Sequence, residues 1–562
     1  PRGMGTGPGG YSVQRQPALR ARREDTLGPM SSTEQWLLSA MERGNTASAI
    51  DRRRGDGSGW TEANAVTPLI HGARYFARLH EELSCLAHGD QVWLCDWRGD
   101  ASQRLAGPGT ELGSVLAAAV QRGAEVRGLV WRSHPDEEGY AEQENAHLGQ
   151  VVNDAGGQIL ADERVRRFGS HHQKVVVIQR GGRAGDVAFV GGIDLCHGRG
   201  DDERHEGDPQ PIALDRRYGD RPAWHDLQLE IRGPAVGDLA ETFRERWLDP
   251  TPLERQNWLS ARVRRVGRQP QRPSPRPAMA PDPPPAGKVA VQVLRTYPAK
   301  RPPFPFAPRG ERSVARAYAK ALSRARSLIY VEDQYLWSTD VARFFADALR
   351  RSPELRLIAV VPRYPDRDGL VSGPLNRIGQ MEALAMLHDA GDDRVAVYDL
   401  ENEAGRAIYV HGKLCVIDDV WMAVGSDNLN RRSWTNDSEA TCAALDSARD
   451  GRAPVDPGGL GDGARVLPRT LRSTLWREHL GPCVSEAELL DPRAGFEAWT
   501  RAAQALDGWH ANGQSGPRPG GRARRHRPAA VPAWASWWAR PLYRLAVDPD
   551  GRPADLKRSH TF

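Results

Sequence analysis

Residues 407–428 read AIYVHGKLCVIDDVWMAVGSDN, and residues 168–194 read FGSHHQKVVVIQRGGRAGDVAFVGGID. Both stretches contain His-x-Lys, then a run of β-branched and aliphatic residues, and then a second apolar run that ends in glycine. Short runs of this kind, bounded by Gly, Asp or Arg, predict buried strands. Because the same order of strands and polar residues occurs twice in one chain, the sequence predicts an internal duplication.

The segments before each copy also follow one order. Amphipathic stretches, with apolar residues at three- and four-residue steps, alternate with strand-like runs. In the first half these are YFARLHEELSCLA, QVWLCDW, ELGSVLAAAVQRG, EVRGLVWRS and EQENAHLGQVVNDAG. In the second half they are ARAYAKALSRA, SLIYVEDQYL, VARFFADALRRS, LRLIAVVPR and GQMEALAMLHDAG. Alternation of helix and strand predicts an α/β fold.

Composition divides the chain into five segments. We expect an N-terminal extension over residues 1–60, partly flexible and with one short helix, and two repeats over 61–263 and 311–485. Between the repeats, residues 264–310 are so rich in Pro and Arg that they predict a linker, although VAVQVLRT within them has the pattern of a strand. Residues 486–562 are expected to hold a helix and a basic, aromatic tail.

The overall composition is that of a large globular protein. The 562 residues are 39% hydrophobic, and 77 Lys+Arg against 72 Asp+Glu give a net charge of +5, which is too mild to predict nucleic-acid binding. No apolar run has the length of a membrane span or of a signal peptide. The six cysteines show no CxxC pair or zinc-site spacing. We therefore expect a soluble, unexported protein whose cysteines are reduced structural thiols.

The two His-x-Lys motifs carry the chemistry. On a strand, residues i and i+2 share a face, so His172 and Lys174 project together, as do His411 and Lys413. Two such halves facing one another would surround one anion with two imidazoles and two ammonium groups. Phosphoryl transfer can use that assembly: the lysines neutralise charge, one neutral imidazole attacks phosphorus, and one protonated imidazole donates to the leaving oxygen. Both roles require that the two imidazole pKa values differ.

The two copies resemble the signature of the phospholipase D superfamily, HxKxxxxD followed by a GSxN-type turn. The second copy matches in full, at His411, Lys413, Asp418, Gly425, Ser426 and Asn428. The first copy has the histidine and the lysine. CDWRGD, WHDLQLEIRGPAVGDLAETFRERW and YVEDQYLWS extend the resemblance from about residue 65 to residue 485. It implies two duplicated α-β-α sandwich repeats, packed with pseudo-two-fold symmetry around one shared active site.

The resemblance also implies roles for individual residues. His172 matches the nucleophile, and His411 matches the general acid that later activates water or an alcohol. Asp226 and Glu439 match carboxylates that hold an imidazole by its second ring nitrogen. The positions implied for phosphate binding are Lys174, Lys413, Asn428, Ser426, Gly192 and Asp194.

Two residues depart from the signature. Gln179 stands where the first copy should have the structural Asp that Asp418 provides in the second, and we expect a consequence for structure more than for chemistry. Asp194 replaces the Asn of the turn. Because an ionised carboxylate cannot donate a hydrogen bond to phosphate, Asp194 is expected to orient Lys174 or a nearby arginine instead. The predicted site is therefore asymmetric.

The activity implied is hydrolysis of the headgroup phosphodiester of a glycerophospholipid to phosphatidic acid, through a phosphohistidine and at a bilayer surface. The resemblance implies that this chemistry needs no metal and no organic cofactor. We expect a cytoplasmic monomer that is peripheral at the membrane. If an alcohol replaces water, the same site performs transphosphatidylation. Three alternatives stay open: a superfamily nuclease, a phosphatidyltransferase of the cardiolipin-synthase type, and an inactive lipid-binding homologue. The mild net charge disfavours the nuclease. Both His-Lys pairs and both carboxylates are present, which disfavours the inactive homologue.

The C-terminal tail allows two interpretations. Trp534, Trp537, Trp538 and Tyr543 follow the basic stretch GRARRHRP. Aromatic rings next to cations are typical of segments that lie at a bilayer surface. A segment that folds back onto the second repeat would account for the same residues.

Overall fold

The computed structural model describes residues 31–132, 142–181, 184–254, 273–275, 281–366, 372–529, 531–559 and 561–562. Residues 1–30 of the predicted N-terminal extension, and 264–272 and 276–280 of the predicted linker, lie outside the described residues. Within the described chain, no helix has both the length and the apolar composition needed to cross a bilayer.

Eighteen strands and sixteen α-helices are present in the described residues. The strands are β1 Thr61–Ile70, β2 Gln91–Asp96, β3 Glu125–Trp131, β4 Gln158–Asp162, β5 Val175–Gln179, β6 Val187–Gly191, β7 Ala223–His225, β8 Leu227–Arg232, β9 Val289–Tyr297, β10 Glu311–Arg312, β11 Leu328–Glu332, β12 Arg356–Val360, β13 Val395–Glu401, β14 Ala407–Val410, β15 Leu414–Ile417, β16 Trp421–Gly425, β17 Glu439–Asp446 and β18 Ala523–Arg525. The helices are α1 Ser32–Trp36, α2 Ala40–Arg43, α3 Ala49–Arg52, α4 Gly72–Ser84, α5 Leu112–Gln121, α6 Glu142–Asp154, α7 Ala235–Trp247, α8 Ser313–Arg324, α9 Thr339–Arg351, α10 Ser372–Gly391, α11 Arg431–Thr435, α12 Val466–Leu480, α13 Glu486–Leu490, α14 Pro492–Ala511, α15 Ala533–Leu542 and α16 Ala554–Ser559.

The strands form two mixed sheets with the same order. The first sheet runs β4-β3-β2-β5-β6-β8-β1, and the second runs β13-β12-β11-β15-β16-β17-β9. In each sheet the first three strands are parallel, and every later pairing is antiparallel. The predicted α/β fold with two duplicated repeats is confirmed.

Helices cover both faces of each sheet. One face of the first sheet packs on α4, α5 and α6, and one face of the second packs on α8, α9 and α10. The opposite faces share a single core: Trp93 and Cys95 of the first sheet and Tyr330 of the second belong to it, with α7 and α12 between them. Successive strand residues point to opposite faces, so each sheet strand can serve both cores. The duplication thus places the two motif-bearing sheets on one shared core.

The segment predicted as a linker contributes to the second sheet. Its strand β9 is fully buried and pairs with β17 over eight residues, from Thr296 with Glu439 to Val289 with Asp446. It also pairs with β1 at two positions and so joins the two sheets. The second structural unit therefore begins about 20 residues before the predicted boundary, because an isolated apolar run among prolines can still supply a central strand.

The described part of the N-terminal extension is ordered against the second repeat. The single helix predicted near residue 33 is two short helices, α1 and α2, each started by a capping box, at Ser31 and at Ser39. Between them, Leu37 and Leu38 are buried in the core of the second repeat. The backbone N–H of Leu38 donates to Gln292 Oε1 at 3.0 Å.

The position where the two motifs differ has a structural role in the second repeat. Asp418 accepts hydrogen bonds from three successive backbone N–H groups, those of Arg326, Ser327 and Leu328, each at 2.8 Å. These bonds hold the turn between α8 and β11. In the first repeat, Gln179 is buried and its Oε1 has no hydrogen-bond partner within the described residues. There the corresponding turn is held by its own Asp90, which accepts from the N–H of Ala87 at 2.9 Å.

We expect Asp418→Ala to lower the free energy of unfolding by about 3 kcal/mol, because three backbone N–H groups lose their acceptor. The matched variant Gln179→Ala removes no such bond and should cost about 1 kcal/mol. Thermal melting and amide hydrogen exchange of residues 326–328 measure both effects. Equal losses in the two variants would contradict this assignment of Asp418.

Candidate active site

The histidine of the first motif is held by the second repeat. His172 and Lys174 lie in the segment that immediately precedes β5, and His172 Nδ1 is 2.9 Å from Oε2 of Glu439, the first residue of β17. The backbone N–H of His172 donates to the carbonyl of Ser438 at 2.9 Å. Both contacts cross from one repeat to the other. They leave Nε2 as the ring nitrogen that is free to react.

The histidine of the second motif is held by the first repeat in the same way. His411 Nδ1 is 2.7 Å from Oδ2 of Asp226, which lies between β7 and β8. The backbone N–H of His411 donates to the carbonyl of His225 at 2.8 Å. Strand β7 also pairs in parallel with β14, which leads into His411. Because β8 and β17 occupy equivalent places in their sheets, the two carboxylate–imidazole pairs are exchanged between the repeats.

The lysines of the two motifs have different partners. Lys174 Nζ forms an ion pair with Asp194 Oδ1 at 2.8 Å, and Asp194 Oδ2 lies 3.2 Å from Arg199. Lys413 Nζ donates to Gln334 Oε1 at 3.2 Å. It also donates to the carbonyl of His411. The first half therefore holds a cation–carboxylate–cation row, whereas the second half leaves Lys413 opposite neutral oxygen atoms.

Two of the residues predicted to bind phosphate, Ser426 and Gly192, lie against the buried carboxylates instead, and Asp194 contacts the lysine and an arginine that it was expected to orient. Asp194 accepts from Lys174 and Arg199, and an ionised carboxylate has no proton to offer phosphate. Ser426 Oγ donates its one proton to Glu439 Oε2 at 2.6 Å. A Cβ on Gly192 would lie 2.1 Å from Asp226 Oδ1, so glycine is required for that carboxylate to fit. The placements of Ser426 and Gly192 differ from the prediction because the buried carboxylates need space and partners of their own, whereas Asp194 has the partners that were expected for it.

Asn428 remains available as a polar group of the second turn. It is 4% exposed, and its Oδ1 has no hydrogen-bond partner within the described residues. Its backbone carbonyl accepts from the N–H of Asn430 at 2.7 Å, which fixes the turn. The two turns therefore differ in chemistry, because the second has the neutral amide of Asn428 where the first has the carboxylate of Asp194.

The pKa values of the two imidazoles are lowered, whereas those of the two carboxyl groups that contact them are raised. Burial lowers the pKa of His172 well below its usual value, helped by Lys174 and Lys413. Burial lowers the pKa of His411 in the same way, with help from Lys413. Burial also raises the pKa of Glu439 to about 8 and raises that of Asp226. Each pair can consequently exchange its proton at low cost, since neither partner strongly favours its charged form.

Burial also affects the cation of the second half. It lowers the pKa of Lys413 to about 8, although the carboxylates of Asp226 and Asp333 oppose that shift. Lys174 is a further cause of the shift, which places the two ammonium groups within electrostatic range across the repeats. An anion that enters the site would favour the charged form of Lys413.

Aromatic rings surround the two imidazoles. Trp97 lies edge-on to His172, at 6.1 Å between ring centroids, and Trp224 lies 4.9 Å from His411. Arg199 stacks over Trp224 at 4.0 Å. Sequence reasoning did not assign Trp97, Trp224 or Gln334 to the site. The Trp-His-Asp run of 224–226 is the signal that could have done so for Trp224, since it sits two residues from a predicted catalytic carboxylate.

A groove opens beside the second half of the site. Its lining includes Gln334, Tyr335, Trp337, Arg363, Tyr364 and Tyr409. Gln334 contacts Lys413 and also donates to the hydroxyl of Tyr409 at 2.7 Å, so one lining residue of the groove touches the second motif. Aromatic rings together with arginine suit a ligand that has both a charged and an apolar part.

Sequence comparisons identify known relatives. Residues 104–342 match a family model described as "Phospholipase D", and residues 318–449 match one described as "Cardiolipin synthase, PLD-like domain". Phospholipase D alpha 2 of Oryza sativa subsp. japonica is 25% identical over 504 residues, covering 68% of this chain and 60% of that protein. Phospholipase D beta 2 of Arabidopsis thaliana is 26% identical over 504 residues, covering 67% of this chain and 53% of that protein.

The chain belongs to the phospholipase D superfamily. It is similar to plant phospholipases D in particular, but it spans less than two thirds of the length of the two relatives described. Among solved structures, phosphatidylserine synthase of Haemophilus influenzae Rd KW20 has 14% sequence identity and a TM-score of 0.47, covering 69% of this chain and 84% of that one.

Removal of the Lys413 charge should raise the pKa of both catalytic imidazoles, because that cation disfavours a second positive charge on either ring. We expect this shift in Lys413→Met, measured by NMR titration of protein labelled at histidine. The exposed Lys288 provides the matched control, since Lys288→Met removes one charge away from the site. Unchanged imidazole titrations in Lys413→Met would contradict the electrostatic description of the site.

Proposed function

We propose that the protein is a phosphodiesterase of the phospholipase D type, which cleaves the headgroup phosphodiester of glycerophospholipids to phosphatidic acid. The observation that carries this proposal is the reciprocal pairing, in which His172 is held by Glu439 and His411 by Asp226. Each imidazole presents Nε2 while its Nδ1 is occupied. Similarity to plant phospholipases D supports a phospholipid as the substrate.

In the first step, Nε2 of His172 attacks phosphorus, and the bond from phosphorus to the headgroup oxygen breaks. Protonated His411 donates its Nε2 proton to that oxygen, so the headgroup leaves as a neutral alcohol. The anionic phosphodiester offsets the charges of Lys174 and Lys413, which lower the imidazole pKa values in the free site. Substrate binding therefore favours protonation of His411 when the proton is needed.

In the second step, His411 accepts a proton from water as the water oxygen attacks phosphorus. The bond between phosphorus and His172 Nε2 breaks, and phosphatidic acid leaves. Asp226 stabilises the imidazolium that forms on His411, and Glu439 does the same for His172 during bond formation. A primary alcohol can replace water in this step without any change in the protein groups, which gives transphosphatidylation.

The structure also suggests how the protein meets a bilayer. On α15 and the residues that follow it, Trp534, Trp537, Leu542 and Leu545 have exposures of 71%, 85%, 46% and 67%. The other rings of the tail pack inward: Trp538 and Tyr543 contact Trp337, which also lines the catalytic groove. We propose that the exposed apolar residues enter the interfacial region of the membrane beside the groove.

Part of the predicted basic tail serves the fold instead. Strand β18 pairs with β13, Arg522 contacts Glu478 at 3.2 Å, and Arg524 contacts Asp507 at 2.7 Å. Those arginines are therefore part of the second repeat, and the exposed rings are the better candidates for membrane contact. Point variants test the rings more cleanly than a truncation, which would remove β18.

The substrate class is tested by incubating the full chain with vesicles of phosphatidylcholine, phosphatidylethanolamine and phosphatidylglycerol together with a primary alcohol, and in parallel with plasmid DNA. Formation of phosphatidic acid and phosphatidyl-alcohol supports the proposal. Formation of a new phospholipid from phosphatidylglycerol alone would favour the cardiolipin-synthase type of transfer. Nicked DNA without lipid turnover would overturn the proposal in favour of a nuclease.

We expect His172→Asn and His411→Asn each to lower kcat by about 10³-fold or more, since one removes the nucleophile and the other the general acid. Gln179→Asp is the control, and its rate should change only modestly. Rapid quenching with labelled phospholipid, under conditions that spare phosphohistidine, should place the label on His172. Label on His411 alone would reverse the two roles, and absence of label would contradict the covalent route.

For the membrane contact, we expect the double variant Trp534→Ser/Trp537→Ser to bind anionic vesicles about 10-fold more weakly or worse, because two interfacial rings are lost. Its turnover of a soluble short-chain phospholipid should not change. The control Val455→Ser/Leu460→Ser alters two exposed apolar residues elsewhere. Vesicle sedimentation measures the binding, and equal binding by the two double variants would show that the rings of α15 do not contact the membrane.

A further inference from the structure

Four side chains form a buried cluster behind the second catalytic histidine that the proposed reaction does not use. His71 precedes α4, His205 lies in a loop, His225 ends β7, and Glu478 lies in α12. The three histidines are between 0% and 5% exposed. Buried ring nitrogens need partners, and two of those in the cluster, His71 Nδ1 and His225 Nδ1, have no hydrogen-bond partner within the described residues.

The nitrogen and oxygen atoms of this cluster converge. Glu478 Oε2 is 2.9 Å from His71 Nε2, and Glu478 Oε1 is 2.9 Å from His205 Nε2 and 3.8 Å from His225 Nδ1. One such atom from each of the four residues lies within 4.8 Å of all the others. Ligand atoms about 2 Å from a common zinc ion are separated by about 3 to 4 Å, so only small side-chain movements separate this arrangement from a tetrahedral site.

In two of the histidines, a contact at one ring nitrogen orients the other ring nitrogen toward the centre of the cluster. His205 Nδ1 donates to the carbonyl of Trp224 at 3.0 Å, so Nε2 is the ring nitrogen that faces Glu478 and would bind an ion there. His225 Nε2 lies 2.8 Å from Oε2 of Glu332, and its Nδ1 has no hydrogen-bond partner within the described residues. Carboxylate or carbonyl contacts of this kind are usual behind histidines that bind a metal.

The surrounding charges suit a cation. In addition to Glu478 and Glu332, a third carboxylate lies near the cluster: Asp201 Oδ2 is 3.8 Å from His205 Nδ1. On the other side, Arg522 lies 3.2 Å from Glu478 Oε1 and supplies one positive charge. Three carboxylates against one arginine leave the cluster with net negative charge when the histidines are neutral, which a divalent ion would neutralise.

We infer that His71 Nε2, His205 Nε2, His225 Nδ1 and a carboxylate oxygen of Glu478 bind a divalent transition-metal ion, of which Zn²⁺ is the case to test. Three imidazoles and one carboxylate are a donor set that suits zinc and its first-row neighbours. The sequence showed no metal-ligand spacing because His71 and Glu478 are 407 positions apart. Only the fold brings the four residues together.

An ion bound by the cluster would affect the proposed reaction by positioning the groups around His411. The carbonyl of His225 accepts from the backbone N–H groups of His411 and Gly412 at 2.8 and 3.2 Å, and Asp226 is the next residue. An ion bound by His225 would therefore fix the backbone that holds His411 and the carboxylate that pairs with it. It would also join four segments that are distant in the chain, as structural zinc ions do.

The test uses the full chain purified without a metal-affinity tag. We expect about one Zn²⁺ per chain by inductively coupled plasma mass spectrometry, release of that ion by EDTA, and a higher melting temperature when ZnCl₂ is restored. With CoCl₂, the apoprotein should develop the intense visible bands of four-coordinate Co²⁺. Wild-type protein that neither retains Zn²⁺ nor develops these bands would overturn the inference, and this result requires no variant to fold.

Variants then locate the ion. His205→Gln and Glu478→Gln should each weaken Co²⁺ binding by about 100-fold or more, since each removes a ligand. His526 provides the matched control: it is a buried histidine 3.1 Å from Asp399, outside the cluster, and His526→Gln should bind Co²⁺ like the wild type. Equal binding by all three variants would place the ion elsewhere and overturn the inference. Because the metal titrations need no substrate, failure of the proposed lipid reaction would leave their result unaffected.

Discussion

The exchange of carboxylates between the two repeats is the constraint on which the rest of the structure depends. Glu439 of the second repeat holds His172, and Asp226 of the first holds His411. Neither repeat can therefore complete a catalytic pair alone. The two sheets must approach one another at the N-terminal ends of β8 and β17, close enough for contacts of 2.7 to 2.9 Å between the repeats. Removal of one partner would leave the other buried and unpaired, which is among the costliest single changes in a protein interior.

Several local features follow from this exchange. Gly192 has no side chain because Asp226 occupies the space a Cβ would need, and Gly425 meets Thr441 in the equivalent turn of the other repeat. The hydroxyl of Ser426 donates its hydrogen bond to Glu439. The lysines and imidazoles are buried together, so positive charges in the site repel one another. An anionic phosphodiester would relieve this repulsion when it binds, and the relief would favour binding.

The two repeats share one architecture but have diverged in chemistry. Lys174 is paired with Asp194, while Lys413 faces Gln334 and Asn428 stands where Asp194 does in the other half. The turn that Asp418 holds by three hydrogen bonds is held in the first repeat by Asp90. The histidine cluster lies behind His411 and draws three of its members from the first repeat. These differences fit a site in which one imidazole bonds to phosphorus and the other moves protons.

The sequence by itself determined the α/β class, the duplication and the identity of the two His-Lys pairs, because strand periodicity and motif order are local properties of the chain. It also marked Asp226 and Glu439, through resemblance to a family. Only the tertiary structure decided which carboxylate contacts which histidine, that β9 belongs to the second sheet, and that Ser426 and Gly192 lie against those carboxylates. It alone brought His71, His205, His225 and Glu478 together. Contacts between residues hundreds of positions apart depend on how sheets and helices pack, and no spacing in the chain records that geometry.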